Sequence, residues 1–292
     1  MRRALTFGLA ALAACAAISS PGAAGGVPNP IIFPVVGPYN YTNDYGDPRA
    51  QGSHEGNDVL APKRSPVVAT EPGRIKFHTT SSRAGCMLYL YGESGTTYLY
   101  IHLNNDVTLG NDNRGKCVAG QNAAYWPGLK DGAKVVAGQA LGYLGNSGDA
   151  DSTAPHLHFE IHPNDGGPTN PYPYLNRATR VLFAAPPGSA VTLSLKGLIL
   201  SATTTSLTMK VATATLFPQG TVFLGLKKPI TLEIPPTALV DVGGSSAGKA
   251  SGKVGAVTGR QAIILTQAEK TRIDTQTAQP GAFSVARIVL PS

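Results

Sequence analysis

The chain has 292 residues, 24 Lys and Arg against 17 Asp and Glu, and a formal net charge of +7. Only 14% of its residues are charged, while 34 are Gly and 23 are Pro. That balance favours short strands joined by turns over long helices, in one large or two medium domains.

In chain order, Arg2 and Arg3 precede an apolar run from Ala4 to Ile18 and a small, turn-prone stretch from Ser19 to Gly26. This succession reads as an export signal over residues 1–24, cut after Ala24. The run falls short of the ~20 apolar residues of a membrane span, and Pro21 closes it. Leu12-Ala13-Ala14-Cys15 also resembles a lipobox, so Cys15 is either removed or lipidated, and membrane contact is expected only in the second case. Both routes lead out of the cytoplasm, to a secreted or cell-envelope protein. They leave Cys86 and Cys117, an even pair expected as one disulfide, against the alternative of two buried thiols.

Residues 25–38 are Pro-rich and are expected to be a linker. Residues 39–180 hold all six histidines and form the first expected domain. A small, Pro-containing connection follows at 184–188. Residues 185–292, without His, Cys or Trp, form the second. Net charge changes with the composition, from −1 over 25–180 to +6 over 181–292. Strand patterns stand out at Val191–Leu195, Gly197–Ser201, Ser206–Ala212, Ile230–Ile234 and Gln261–Thr266, with a Gly/Ser/Lys-rich loop expected at 243–252. The fold class is therefore mainly β, with a small all-β barrel or sandwich at the C-terminal end. No catalytic constellation lies in that end; its positive charge suits contact with an anionic polymer, or is simply a solvated β surface. Nucleic-acid binding is not expected, because that region has no RNA-recognition motif and few aromatics for stacking.

Three motifs carry chemistry. In His54-Glu55-Gly56-Asn57-Asp58 a His and an Asp four apart supply one nitrogen and one oxygen ligand, and Gly56 is expected to let the backbone bend between them. In His156-Leu157-His158-Phe159-Glu160-Ile161 the alternation sends Leu157, Phe159 and Ile161 to a core and His156, His158 and Glu160 to the other face. Tyr98-Leu99-Tyr100-Ile101-His102-Leu103 ends an alternating strand with a His expected on the Tyr98/Tyr100 face.

Together these residues resemble the M23 peptidase family, the lysostaphin- and LytM-like endopeptidases. HxGxDxxAP stands complete from His54 to Pro62, Tyr-x-His-Leu at Tyr100–Leu103 and HLHFE at His156–Glu160. Val135–Gln139 with Leu144–Gly148 looks like the family's hairpin before the last motif, and the likeness covers about residues 33–178. It implies an antiparallel-sheet domain with an open groove, and His54, Asp58 and His158 as ligands of Zn2+. It also implies His102 and His156 as the flanking acid–base pair, Glu160 as a partner that orients a histidine, and a peptidoglycan peptide as substrate. The alternative is a non-catalytic or partner-activated wall-binding protein of the same fold. The segment Asn104–Lys130 is longer than the family's usual connection and is expected as a loop beside the groove.

Overall fold

The computed structural model describes residues 26–50, 52–118, 123–185, 189–218, 221–224, 229–242, 248–249, 257–267, 269–270 and 283–291. The expected export signal with Cys15 lies outside them. Among the described residues no helix is long and apolar enough to cross a membrane.

A small hairpin of β1 (Pro48–Arg49) and β2 (Gly52–Ser53) comes first. It leads into β3 (Asn57–Leu60), β4 (Pro66–Val68), β5 (Gly73–His78), β6 (Cys86–Gly92), β7 (Thr97–Leu103), β8 (Lys134–Val135), β9 (Ala140–Tyr143) and β10 (His156–His162). Six of these form one antiparallel sheet in the order β3-β10-β7-β6-β5-β8, and β4 pairs with β9 in a second. Strand alternation explains the packing. Leu157, Phe159 and Ile161 on β10 and Tyr98 and Tyr100 on β7 are fully buried, in one cluster with Val67, Leu141 and Leu144 from around the smaller sheet. Burying a side chain such as Phe159 contributes roughly 1.5–3 kcal/mol. Tyr100 bridges the layers: its hydroxyl donates to the Val68 carbonyl at 3.0 Å and accepts from the Thr70 amide at 3.0 Å.

The expected hairpin over 135–148 is not one. β8 pairs with β5 in the large sheet, and β9 turns away to pair with β4. Nor do residues 31–36 of the expected linker at 25–38 behave as one. Ile31, Ile32, Phe33, Val35 and Val36 are each at most 4% exposed. Prolines at 30, 34 and 38 cannot donate to a ladder, but the residues between them do: Phe33 N–H bonds the Thr179 carbonyl at 2.8 Å and Val36 N–H that of Pro66 at 2.9 Å.

Beyond the short helix α1 (Tyr172–Arg177) the chain builds a nine-stranded sheet from β11 (Ala190–Ala202), β12 (Ser206–Phe217), β13 (Thr221–Leu224), β14 (Ile230–Glu233), β15 (Leu239–Val242), β16 (Gly248–Lys249), β17 (Gln261–Thr266), β18 (Glu269–Lys270) and β19 (Val285–Leu290). The path runs β13-β12-β11-β17-β19-β15-β16, with β15 and β19 paired in parallel. The sheet curls around its own core, with Val191, Leu193, Leu195 and Ile199 of β11 inward and Lys196 outward. The two strands expected at 191–195 and 197–201 are one, kinked by a register shift at Lys196/Gly197. Gly197 permits that kink, since a Cβ there would stand 2.1 Å from the Lys210 carbonyl oxygen. Of the loop expected at 243–252, Gly248–Lys249 is β16, and the rest lies outside the described residues.

The connection expected at 184–188 is also corrected in part. Ala184 and Ala185 are buried, and 186–188 lie outside the described residues. One apolar cluster runs from Ile32, Val36, Val68, Ala137 and Ala140 of the first unit through Val181–Ala185 into the core of the curled sheet. Phe183 meets Phe283 edge-on, with ring centroids 5.5 Å apart.

Candidate metal centre and groove

The order β3-β10-β7 assembles the site. On β10, His158 lies opposite Asp58 of β3 and opposite Ile101 of β7. His54 arrives from the turn before β3, pinned by its own amide bond to the Asp47 carbonyl at 2.9 Å. Three atoms converge: His54 Nε2 lies 3.2 Å from Asp58 Oδ1 and 2.9 Å from His158 Nδ1, which is 3.1 Å from Asp58 Oδ1. Ligand atoms of a tetrahedral zinc bound at about 2.0–2.1 Å stand about 3.3–3.4 Å apart, so this triangle needs only small adjustment to take the ion.

Each of these imidazoles is held at its other nitrogen by a group that only accepts. His54 Nδ1–H donates to the Asp44 carbonyl at 2.8 Å, and His158 Nε2–H donates to Glu160 Oε1 at 2.9 Å. The bonds place both protons away from the triangle and leave lone pairs on the converging nitrogens. Two neutral imidazoles and a carboxylate around one point are the donor chemistry that a divalent ion of zinc's class takes.

Electrostatics agree. Burial works against the Asp58 carboxylate, but bonds from His158 and His54 and the nearby His156 outweigh it and hold its pKa far below the usual range. Burial likewise opposes a charge on His158, yet Asp58 and Glu160 push its pKa up to about 9. Glu160, buried but bonded by His158 and by His162 Nε2 at 2.6 Å, falls to about 2. The cluster is thus an anionic socket that holds positive charge. Among the described residues, His54, Asp58 and His158 are the three whose ligand atoms come together in this way.

His102 and His156 flank the triangle. Their ring centroids are 5.1 Å apart, and His156 Nε2 is 3.8 Å from Asp58 Oδ1. His156 Nδ1 donates to the Ala154 carbonyl at 2.9 Å and His102 Nδ1 to that of Ser147 at 2.8 Å, so both Nε2 atoms are free to accept. Burial, with the neighbouring His156 and His158, lowers the His102 pKa to about 3. His102 does not share the Tyr98/Tyr100 face as expected. Its φ of 60° rotates it out of the alternation, so Tyr98, Tyr100 and Leu103 fill the core while Ile101 and His102 line the groove. Histidine is one of the few residues that tolerates this left-handed conformation.

Gly56 has a different reason from the one expected. A Cβ at Gly56 would stand 2.6 Å from His158 Nε2 and 2.7 Å from the Phe159 carbonyl oxygen, so glycine is there to let the ligand ring pass.

The groove encloses about 860 Å³ and draws its walls from residues 49–60, 78–89, 101–102 and 149–160. Among the described residues none of the 104–130 segment lines it, contrary to expectation. Its residues Gly115 and Cys117 instead pack against Gly148 and Cys86. The expected bridge between Cys86 and Cys117 is present, with Cα atoms 4.9 Å apart, and the Gly148 amide donates to the Gly115 carbonyl at 2.7 Å. Both contacts support the turn that presents Ser147 to His102. Ser147, Asp44, Arg49 and His162 escaped the sequence reading. They sit in polar turns or at a strand end, and only the folded chain shows what they touch.

Residues 52–171 match the model of Peptidase family M23. This segment is an M23 peptidase domain. The chain is 27% identical over 154 residues to the L-Ala--D-Glu endopeptidase of Bacillus subtilis, a match covering 49% of this chain and 41% of that protein. It is 30% identical over 138 residues to the DD-carboxypeptidase/endopeptidase Mpg of Neisseria meningitidis, covering 45% of this chain and 26% of that one. The chain therefore spans less than half the length of either relative. Among solved structures, it is similar to the catalytic domain of lysostaphin from Staphylococcus simulans, at 27% identity and a TM-score of 0.37 over 47% of this chain and 92% of that chain. Helicobacter pylori Csd3 is similar at 26% identity and a TM-score of 0.34, over 49% of this chain and 33% of that chain.

Proposed function

We propose that the M23 domain is a zinc-dependent endopeptidase that hydrolyses peptide bonds in bacterial peptidoglycan. One observation carries the reading: a metal-binding triangle and two imidazoles with free Nε2 atoms share one groove. The relatives' names, an L-Ala--D-Glu endopeptidase and a DD-carboxypeptidase/endopeptidase, support the substrate class.

His54, Asp58 and His158 would hold the ion, which when bound lowers the pKa of a water to about 7 and polarises the scissile carbonyl. The chain's own groups do the rest. The walls at 78–89 and 149–154 hold the peptide across the site. Nε2 of His102 or His156 accepts the proton that water loses on attack, and the imidazolium so formed delivers it to the departing amine. Backbone acceptors at Ser147 and Ala154 keep both rings in the required tautomer throughout.

The same reading sets the enzyme outside the cytoplasm, supported by the export-type pattern of residues 2–24 and by the Cys86–Cys117 bridge. The +6 C-terminal region would meet anionic wall polymers through exposed charges such as Lys196 and Lys210. Purified chain loaded with zinc and incubated with isolated cell walls should release muropeptides with new peptide termini, read by mass spectrometry, and a chelator should stop it. Release that continues in chelator, or none from the zinc-loaded chain, would sink the proposal.

A further inference from the structure

The Asp58 carboxylate is divided between two tasks. Its Oδ1 belongs to the ligand triangle, at 3.2 Å from His54 Nε2 and 3.1 Å from His158 Nδ1. Its Oδ2 instead accepts a charge-assisted bond from Arg49 Nη2 at 2.9 Å. We propose that Arg49 is a positioning residue that keeps Asp58 a one-oxygen ligand, so that the coordination position a second oxygen would fill stays open to water and substrate. This rests on the metal-site reading above.

Arg49 is well anchored for that task. It sits on the β1–β2 hairpin, paired with Gly52. The same Nη2 also reaches Asp44 Oδ2 at 3.4 Å; its 3.2 Å approach to His54 Nδ1 is a contact and not a hydrogen bond, because that nitrogen carries the proton given to the Asp44 carbonyl. Asp44 ties the arrangement to both ligands: its carbonyl takes the His54 Nδ1 proton, and its carboxylate accepts from Asn57 Nδ2 at 2.7 Å, next to Asp58 in the chain. Gly46 N–H bonds the His54 carbonyl at 2.8 Å and closes the turn. Guanidinium, Asp44 and the His54/Asp58 pair thus form one hydrogen-bonded block.

The need for it follows from carboxylate chemistry. Both oxygens of an aspartate lie within reach of a divalent ion, and a catalytic site with three protein ligands works only while its remaining position is free. Among the described residues, the other side-chain partners of Asp58, His54 and His158, engage Oδ1 and leave Oδ2 to Arg49. Arg49 is not a packing residue either, for its side chain is 38% exposed and lines the groove. Both contacts come from one nitrogen, so a lysine ammonium could reach the same acceptors, but without the guanidinium's rigid plane it would hold Oδ2 less firmly.

Cobalt(II) is the probe, since its visible absorption is strong with four ligands and weak with five. The full chain, Arg49→Ala, Arg49→Lys and the control Arg83→Ala, whose arginine lines the groove beside Asp149, are loaded with cobalt and compared. Wild type and Arg83→Ala should show the intense band. Arg49→Ala should show a weakened one with a kcat on soluble muropeptide ~10–100-fold lower and KM little changed, and Arg49→Lys should fall between. A band of wild-type strength in Arg49→Ala overturns the proposal whatever its turnover. Loss of cobalt from both Arg49 variants marks a collapsed hairpin and also overturns it, and if Arg49→Ala fails to fold, the Arg49→Lys band alone decides. The spectrum needs no peptidase activity. A weakened band beside inactivity on cell walls would leave this inference standing and remove the substrate reading, whereas a wild-type chain that takes up no cobalt removes both.

Discussion

The Ser147 carbonyl accepts the Nδ1 proton of His102 at 2.8 Å while the Ser147 hydroxyl donates to the carbonyl of the next residue along, Leu103, at 2.6 Å. One fully buried serine therefore holds the histidine ring and the backbone of the residue after it, and the same Oγ accepts the Cys86 amide at 2.9 Å. Ser147→Ala should leave metal content unchanged, lower kcat, and cost about 1–3 kcal/mol for the buried amide and carbonyl left without a partner. Thermal unfolding alongside metal analysis checks this; a variant as stable and as active as wild type would refute the gripping role.

His102→Ala and His156→Ala should keep the metal and lose ~10²–10⁴-fold in turnover, the usual span for a general acid–base group. Metal analysis decides the assignment. If His156→Ala loses the ion while His158→Ala keeps it, ligand and acid–base histidine have been exchanged on β10.

Asp58→Ala and His158→Ala should lose metal and activity together. In the wild type, added zinc at 100 times its dissociation constant should stabilise the fold by about 2.7 kcal/mol, and neither variant should respond. Calorimetry with and without zinc measures this directly; equal stabilisation of all three proteins would rule out the triangle as the site.

Gly56→Ala should be far more harmful than a surface substitution, because the new methyl group would stand 2.6 Å from His158 Nε2 and must displace that ring or its Glu160 bond. The expected result is ~10–100-fold weaker metal binding. Titration with a competing chelator reads the affinity, and wild-type affinity would show that the ring moves aside freely.

Lys196 and Lys210 stand outward on neighbouring strands β11 and β12. If the curled sheet meets anionic polymers, the full chain should co-sediment with cell walls at low salt and release near 1 M, where the Debye length has shrunk to about 3 Å. The double variant Lys196→Glu and Lys210→Glu should sediment less while cleaving soluble muropeptide as before. Sedimentation indifferent to both salt and charge reversal would remove the polymer role.

The chemistry of this chain was more legible than its scaffolding. Leu157, Phe159 and Ile161 announced the buried face of β10, because strand alternation is a local property that burial enforces. The pairing of Cys86 with Cys117 followed from an even count. Arg49 and Asp44 stayed hidden because their meaning depends on a hairpin folding back over the His54/Asp58 pair, which no spacing encodes. The turn of His102 to the groove side depends on a φ of 60°, set by Ser147 from 45 residues away. Residues 31–36 were misread because their prolines look like punctuation, whereas the apolar residues between them complete the core from an edge.

The cluster that runs unbroken from Ile32 and Ala140 through Phe183 into the curled sheet sets how the two halves of the molecule can move. Domains joined by a bare tether sample many orientations, and large apolar contacts suppress that freedom. Here the groove and the outward face of the curled sheet stand on one continuous apolar core. On the proposed reading, a polymer held at that face would reach the groove at one angle and one offset, so the place of cutting along it would be measured by the protein rather than by chance encounter.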